Sequence, residues 1–430
     1  MRDTFSRIRK SEFIRNFLTL VSATSVAQGI AILIYPVLTR IYTPGEHGLF
    51  ALYMSIIAIT GIMSTGKYDL AVLMPSEKKD SLALVRLAGI ICLSFSIFLV
   101  IPTFLLNKPF ARILGNEEIG RWLYFVPLST LLVGIFQTLS VWANREKSYK
   151  LIAGANLSQS VVNSGVKLST SRFLPSGGGL ITGAIAGQLV GALVFVVNFF
   201  RREGKPFRSV SREEVQAVAR TYSLFPKYNL IHYLVNNFST NLPVFVFSAW
   251  FSKEITGLYS LAFMMINRPM NLVTSSMGQV LSQRVIERYN RGELIAGDIR
   301  RMTLRLFLIG VVPFLLTGIF GPQIFSFVFG DVWFEAGKFM QLLLPWLFAV
   351  FISSPLTFLP DLLKRQKKAM WIDNIKFLLR ISVLAIGTVM GNATLAIVLF
   401  SAVSFIMVLY NLWWCVSLAV KSDRGRQAIN

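Results

Sequence analysis

The stretch TGLYSLAFMMINRPMNLVTSSMGQVL, residues 256–281, joins a membrane-like composition to a fixed charge. It is long enough to cross the ~30 Å hydrocarbon core of a bilayer as one α-helix. Near its centre stand Arg268, which keeps its positive charge, and Pro269, which has no backbone N–H to donate. Because an arginine at mid-membrane costs roughly 2.5–3.5 kcal/mol on insertion scales, the stretch predicts a spanning helix whose charge serves a function.

Similar apolar windows recur along all 430 residues. Hydrophobic residues make up 54% of the chain and charged residues only 15%, whereas about a quarter is usual in a soluble domain. We therefore predict an all-α polytopic membrane protein with twelve transmembrane helices. The predicted windows are 16–39, 48–66, 82–106, 122–143, 149–171, 180–200, 224–249, 256–281, 303–320, 339–361, 369–390 and 394–419.

The distribution of positive charge predicts the orientation of these helices. An even number of spans places both termini on one side of the membrane. The arm before the first window is basic, and most of the 43 Lys and Arg residues fall in segments on the same side. The positive-inside rule then places both termini in the cytoplasm, and it explains the net charge of +22 without a nucleic-acid partner. The basic residues of the arm are Arg2, Arg7, Arg9, Lys10 and Arg15.

Cysteine and histidine are too scarce for a metal or redox centre. Cys92 and Cys415 both fall inside apolar windows, and His47 and His232 are the only histidines. We expect no metal, no cofactor and no disulfide.

The longest polar segment, 201–223, divides the chain into two halves with six predicted helices each. Short motifs recur at matching places in the two halves. Tyr35-Pro36-Val37 and then Gly48–Leu52 in the first half correspond to Leu242-Pro243-Val244 and then Gly257–Leu261 in the second. We predict two parallel six-helix lobes, 1–205 and 206–430, that enclose a central cleft.

Four windows carry polar residues at helical spacing, which places them on one helix face. Such a face predicts contact with a water-filled cavity, because lipid offers amides no hydrogen bonds. The alternative is that these side chains join helices to one another. The four faces are Asn156, Gln159, Asn163 and Lys167; Asn229, His232, Asn236 and Ser239; Arg268, Asn271, Ser275 and Gln279; and Asp373, Lys376 and Arg380.

The cations of these faces suggest the charge of the ligand. Arg268 lies far from both ends of its window, which contains no acid, and Arg380 is also deep in its own. Lys376 can instead pair with Asp373, and Lys167 can extend its amine towards the surface. Intramembrane cations with few buried acids predict an anionic ligand, and the planar fork of arginine suits phosphate.

Segments 16–75 and 222–229 resemble the O-antigen and capsule repeat-unit flippases, a family of bacterial polysaccharide-export proteins. The resemblance covers 11–80 and 220–285 most strongly. In this family a basic-Tyr-acidic triplet follows the second helix, and Arg-Tyr-Glu is commoner there than the Lys-Tyr-Asp found here. The residues that match are Asn16, Pro36, Arg40, Tyr42, Pro44, Gly48, Phe50, Lys67, Tyr68 and Asp69.

The resemblance implies a fold and a function. The fold would be two six-helix bundles around a V-shaped cavity, shared with multidrug exporters and the peptidoglycan-precursor flippase. The cargo would be an oligosaccharide on a polyprenyl pyrophosphate, turned to the outer leaflet of the bacterial inner membrane by alternating access. Arg268 and Arg380 would hold the pyrophosphate. Asp69 and Asp373 are candidates for ion coupling, and a polysaccharide polymerase and chain-length machinery are candidate partners.

Other classes of protein fit the sequence less well. A multidrug cation exporter of the same fold should bury carboxylates for its cargo, and few are available. A major-facilitator transporter usually carries a Gly-x-x-x-Asp loop that is absent between windows two and three. A membrane polymerase or ligase would need a large outer loop, and the longest, about 321–338, is short and apolar. We therefore expect a transporter and not an enzyme.

Overall fold

The computed structural model describes residues 28–30, 32–171, 173–174 and 177–427. Most of the described residues are helical and none lies in a β-strand, which confirms the all-α prediction. The basic arm, Asn16 and the start of the first predicted window lie outside the described residues.

Twelve principal helices in the described part of the chain overlap the twelve predicted windows. All but the first contain at least 20 residues. We number them in chain order and refer to shorter helices by their bounds. They are α1 Gln28–Ile41, α2 Pro44–Met63, α3 Lys78–Leu105, α4 Val126–Arg145, α5 Tyr149–Ser169, α6 Gly178–Ser209, α7 Leu230–Trp250, α8 Lys253–Asn290, α9 Ala296–Phe329, α10 Phe334–Ser353, α11 Gln366–Val389 and α12 Ala393–Gln427.

Seven segments of the described chain are long and apolar enough to cross a membrane. They contain α2, α3, α4, α6, α9, α10 and α12. Apart from α1, which is shorter, the remaining helices are α5, α7, α8 and α11, and these four carry the predicted polar faces. The residues proposed to meet water or another helix are thus found on the long helices that are not among these seven apolar segments. The protein is a multi-pass membrane protein, and the number of twelve spans stays a prediction.

The chain forms two compact units, with the division between Ala249 and Trp250. Helix α7 belongs to the first unit, where the Ser55 hydroxyl donates to Asn241 Oδ1 at 3.0 Å and the Ser248 hydroxyl donates to the Leu114 carbonyl at 2.7 Å. The predicted boundary at 205/206 follows the internal repeat, whereas this division follows packing. The two lobes therefore stay a prediction.

In the first unit, a stripe of glycines on α6 lets α5 approach closely. A Cβ on Gly183 would lie 2.5 Å from Lys167 Cγ, and a Cβ on Gly187 would lie 2.8 Å from Asn163 Cβ. Side chains at these positions would force the helices apart, so small residues are required there. A hydrophobic core also joins α3, α4 and α6 around buried Leu84, Trp142 and Phe195.

A short amphipathic helix, Arg212–Thr221, follows α6 and packs on α3. It begins at a capping box in which the Ser211 hydroxyl accepts from the Glu214 N–H and the Glu214 carboxylate accepts from the Ser211 N–H. Val215 and Val218 enter the first-unit core, and Glu214 pairs with Lys79 at the start of α3. The polar segment predicted to separate the halves is therefore packed on the first unit.

In the second unit, the end of α12 is joined to the start of α9. The buried Asp423 carboxylate accepts from the Ile295 N–H at 3.0 Å and the Ala296 N–H at 2.8 Å. An acid at this position supplies acceptors for the free N–H groups at a helix start. Nearby, the Asp298 carboxylate pairs with Arg284 at 3.2 Å and Arg288 at 2.5 Å, which connects α8 to α9.

Candidate substrate-binding site

The face of α8 that carries Arg268 is the most open of the predicted polar faces. Arg268 is half-buried, while Asn271, Ser275 and Gln279 are exposed. The helix continues as one element from Lys253 to Asn290, with Pro269 inside it. A membrane helix with an exposed row of amides and a cation is expected to meet water or a polar ligand on that side.

The N-terminal half of α7 presents a second polar face, in the first unit. His232 and Asn236 are exposed, Asn229 is half-buried and Ser239 is buried. A five-residue π-helix, Phe225–Asn229, leads into α7. Its backbone geometry is rare and often occurs at functional sites.

The polar face of α5 is covered by α6. Asn156, Gln159 and Asn163 are half-buried, and the backbone of α6 lies against this face at its glycines. Gln159 and Asn163 thus lie at a helix–helix contact, which is the alternative that the sequence left open. Their contact with cargo stays a prediction.

Lys167, at the end of the same face, is buried and does not extend to the surface. Its ammonium lies 4.3 Å from the centre of the Phe50 ring, and its backbone carbonyl accepts a 2.7 Å hydrogen bond from the Tyr42 hydroxyl. Cation–ring attraction partly offsets the burial of such a charge. The side chain thus joins α5 to α2.

Arg380 on α11 lies inside the second unit, with 3% of its surface exposed. Its guanidinium carbon is 5.0 Å from the centre of the Trp346 ring and 4.8 Å from that of Phe400. Its Nε–H donates to the Ser404 hydroxyl at 2.9 Å. The sequence did not predict these neighbours, because Trp346 and Phe400 are apolar residues in apolar helices and nothing in their sequence context indicates that they will contact Arg380.

The two coupling candidates have different surroundings. Asp373 forms a 2.6 Å ion pair with Lys376, one turn away on α11, as its spacing allowed. Asp69 is buried and accepts a 2.6 Å hydrogen bond from the Thr65 hydroxyl. Within the described residues, no group of three or more His, Cys, Asp or Glu side chains is arranged to hold a metal ion.

Comparisons with solved structures identify the fold. The lipid II flippase MurJ, in an inward closed conformation, matches with a TM-score of 0.66 and 13% identity over 94% of this chain and 90% of that one. An inward-facing multidrug resistance MATE family transporter of the MOP superfamily matches at 0.63 and 13% identity, over 93% and 96% of the two chains. The Vibrio cholerae MATE transporter VcmN matches at 0.58 and 13% identity, over 97% and 98%. The chain therefore has the fold of these transporters.

A comparison with curated proteins gives no significant match. The family model described as "Polysaccharide biosynthesis protein" matches residues 37–338, which include all of the second segment that carries the resemblance noted above and the first segment from residue 37 onward. This confirms the expectation from the sequence: the chain belongs to the polysaccharide biosynthesis protein family.

Proposed function

We propose that the protein is a flippase that carries a polyprenyl-pyrophosphate-linked oligosaccharide from the cytoplasmic to the outer leaflet by alternating access. The observation that carries this proposal is the exposed polar face of α8 beside Arg268. Amides there would solvate sugar hydroxyls, and the guanidinium would pair with phosphate oxygens. The family and the flippase-like fold support the same function.

The proposal ranks the predicted cargo contacts by their access. Arg268 and Asn271 on α8 come first, followed by His232 and Asn236 on α7, because their faces are open. Arg380, Lys376, Lys167, Asn229, Asn156, Gln159 and Asn163 are less accessible and would contact cargo only after helices move apart. No covalent step is proposed, so the protein would act as a transporter and not as an enzyme.

The remaining parts of the proposal concern location and partners. We place the protein in the bacterial inner membrane, with both termini in the cytoplasm. A polysaccharide polymerase and chain-length machinery would use the delivered cargo. Asp69 and Asp373 are proposed as coupling residues.

A multidrug cation exporter is the second candidate, because two of the structures compared above are MATE transporters. A cation-binding site needs an available carboxylate in the membrane. Asp373 is already paired with Lys376, and Asp298 is paired with two arginines. These ion pairs make both carboxylates less available to a cation, which favours the anionic cargo. Asp69, which is buried and forms no ion pair among the described residues, is the carboxylate that the exporter would use.

The test is leaflet-resolved translocation of labelled polyprenyl-pyrophosphate oligosaccharide by purified protein in liposomes. We expect Arg268→Ala to abolish translocation and Arg268→Lys to keep part of it, since lysine keeps the charge but not the paired donors. The matched control is Arg301→Ala, which removes an exposed arginine from the start of α9. Full translocation by Arg268→Ala would remove Arg268 from the site, and efflux of an organic cation instead would favour the exporter.

A further inference from the structure

Lys67 in the first unit is a buried cation for which the described residues supply no counter-charge. Only 7% of the surface of Lys67 is exposed, and its ammonium lies 4.7 Å from the centre of the Tyr233 ring on α7. Among the described residues, no carboxylate pairs with this ammonium and no oxygen accepts a hydrogen bond from it. Buried charges in proteins are normally paired, so this lysine is unusual.

The nearest acid along the chain does not neutralise Lys67. Asp69 is 3% exposed, and its carboxylate accepts from the Thr65 hydroxyl at 2.6 Å instead of pairing with the lysine. The Tyr233 ring therefore provides the one described contact of the ammonium. A ring face attracts a cation but supplies no hydrogen-bond acceptor for its three N–H groups.

The backbone holds Lys67 in a conformation that lysine rarely adopts. Its φ is 61° and its ψ is 14°, directly after Gly66 with a φ of 56°. Two other lysines in the described chain, Lys147 and Lys364, also have positive φ at 54°, but both are exposed. A glycine or asparagine would fit the left-handed region with less strain, so the backbone alone gives no reason for a lysine here.

The surroundings of Lys67 lead to the open polar face of α7. Tyr233, which carries the contact, is 39% exposed, and its ring centre is 6.0 Å from that of exposed His232. The short helix Tyr68–Ala71, which begins directly after Lys67, packs against the π-helix Phe225–Asn229. The ammonium thus lies beside an exposed tyrosine whose ring neighbours that of His232, and an anion bound there can supply the missing acceptor.

We propose that Lys67 is an oxyanion contact in the first unit, and that it binds a phosphate oxygen of the lipid-linked cargo. The ammonium is a compact charge that binds phosphate through hydrogen bonds from its rotatable N–H donors. This inference rests on the proposed function, and it adds a residue of the first unit to the cargo contacts, among which Arg268 was the leading candidate. Tyr233 acts as a positioning residue that keeps the ammonium in place while no anion is bound.

The test measures binding of polyprenyl pyrophosphate to the purified full-length protein in detergent micelles. We expect Lys67→Gly to bind about ten- to hundred-fold more weakly, the loss that follows from one charge-assisted hydrogen bond. Lys67→Arg should keep most of the binding because it keeps the charge. The matched control is Lys147→Gly, which makes the same change at an exposed left-handed lysine and should bind like the wild type.

Further measurements distinguish a cargo contact from a structural lysine and from a site for bilayer lipid. Lys67→Gly should unfold at the same or a higher temperature than the wild type, since glycine relieves the backbone strain. Uncharged polyprenol should bind both proteins equally, and inorganic pyrophosphate should compete less effectively in Lys67→Gly than in the wild type. Equal binding of polyprenyl pyrophosphate by Lys67→Gly and wild type would overturn the inference, as would an equal loss of phosphatidylglycerol binding, which would assign the site to bilayer lipid.

The inference and the proposed function can fail separately. If wild-type protein translocates the lipid-linked oligosaccharide and Lys67→Gly does so at the same rate, the Lys67 contact is wrong and the flippase function stands. If the wild type neither binds polyprenyl pyrophosphate nor translocates its oligosaccharide, the proposed function itself is overturned.

Discussion

Replacement of Ser404 by alanine tests how the second unit accommodates its buried arginine. Ser404 is fully buried, and its hydroxyl accepts from Arg380 Nε–H at 2.9 Å. The alanine variant removes one oxygen and leaves the shape of α12 almost unchanged. It leaves a buried, charged N–H without this acceptor. An unsatisfied buried group lowers the free energy of unfolding by about 1–3 kcal/mol, and a charged one by more.

A double-mutant cycle isolates that contribution. Arg380→Met keeps most of the side-chain volume between Trp346 and Phe400 but removes the charge. Replacing a buried charge by an apolar side chain of similar size is often neutral or stabilising. In this background Ser404→Ala should cost little, so the coupling between the two sites should be about 1–3 kcal/mol.

The assay is reversible denaturation of the purified protein in detergent, followed by intrinsic tryptophan fluorescence. Trp346 lies against the arginine and should report local loss of packing. Additive effects of the two substitutions, with no coupling between them, would refute the idea that Ser404 satisfies a buried charge. Loss of translocation in a stable Arg380→Met protein would instead keep Arg380 among the cargo contacts.

Two further predictions concern packing within each unit. In a thermal-unfolding measurement, Gly187→Ala should destabilise the first unit by about 1–3 kcal/mol, because the new Cβ would lie 2.8 Å from Asn163 Cβ. The control is Gly165→Ala on α5, where a Cβ meets nothing within 4 Å, and this variant should be neutral or stabilising. Asp423→Ala should lower the free energy of unfolding by roughly 2–4 kcal/mol, since it leaves the Ile295 and Ala296 N–H groups without their acceptor. Asp423→Asn should lower it less. If wild type and Asp423→Ala resist proteolysis equally at the start of α9, the role of this carboxylate is contradicted.

The amino-acid sequence was sufficient to predict the helices of the membrane protein. A spanning helix must satisfy its backbone within itself and present apolar side chains to lipid, so both requirements appear directly in a linear window. For the same reason the four polar faces could be predicted from spacing alone, and they lie on the four long helices that are not among the seven apolar segments. The local pair Asp373–Lys376 also follows from spacing, because both residues lie on one helix within one turn.

What each polar face meets was decided by the tertiary structure. Spacing could not distinguish α5, where Gln159 and Asn163 lie against the glycines of α6, from α8, whose amides are exposed. Nor could it predict that Arg380 lies between Trp346 and Phe400, or that Lys67 lies against Tyr233, since these partners come from distant parts of the chain. Periodicity specifies a face of one helix, whereas a binding site depends on which other helix covers that face, and that is determined only by packing.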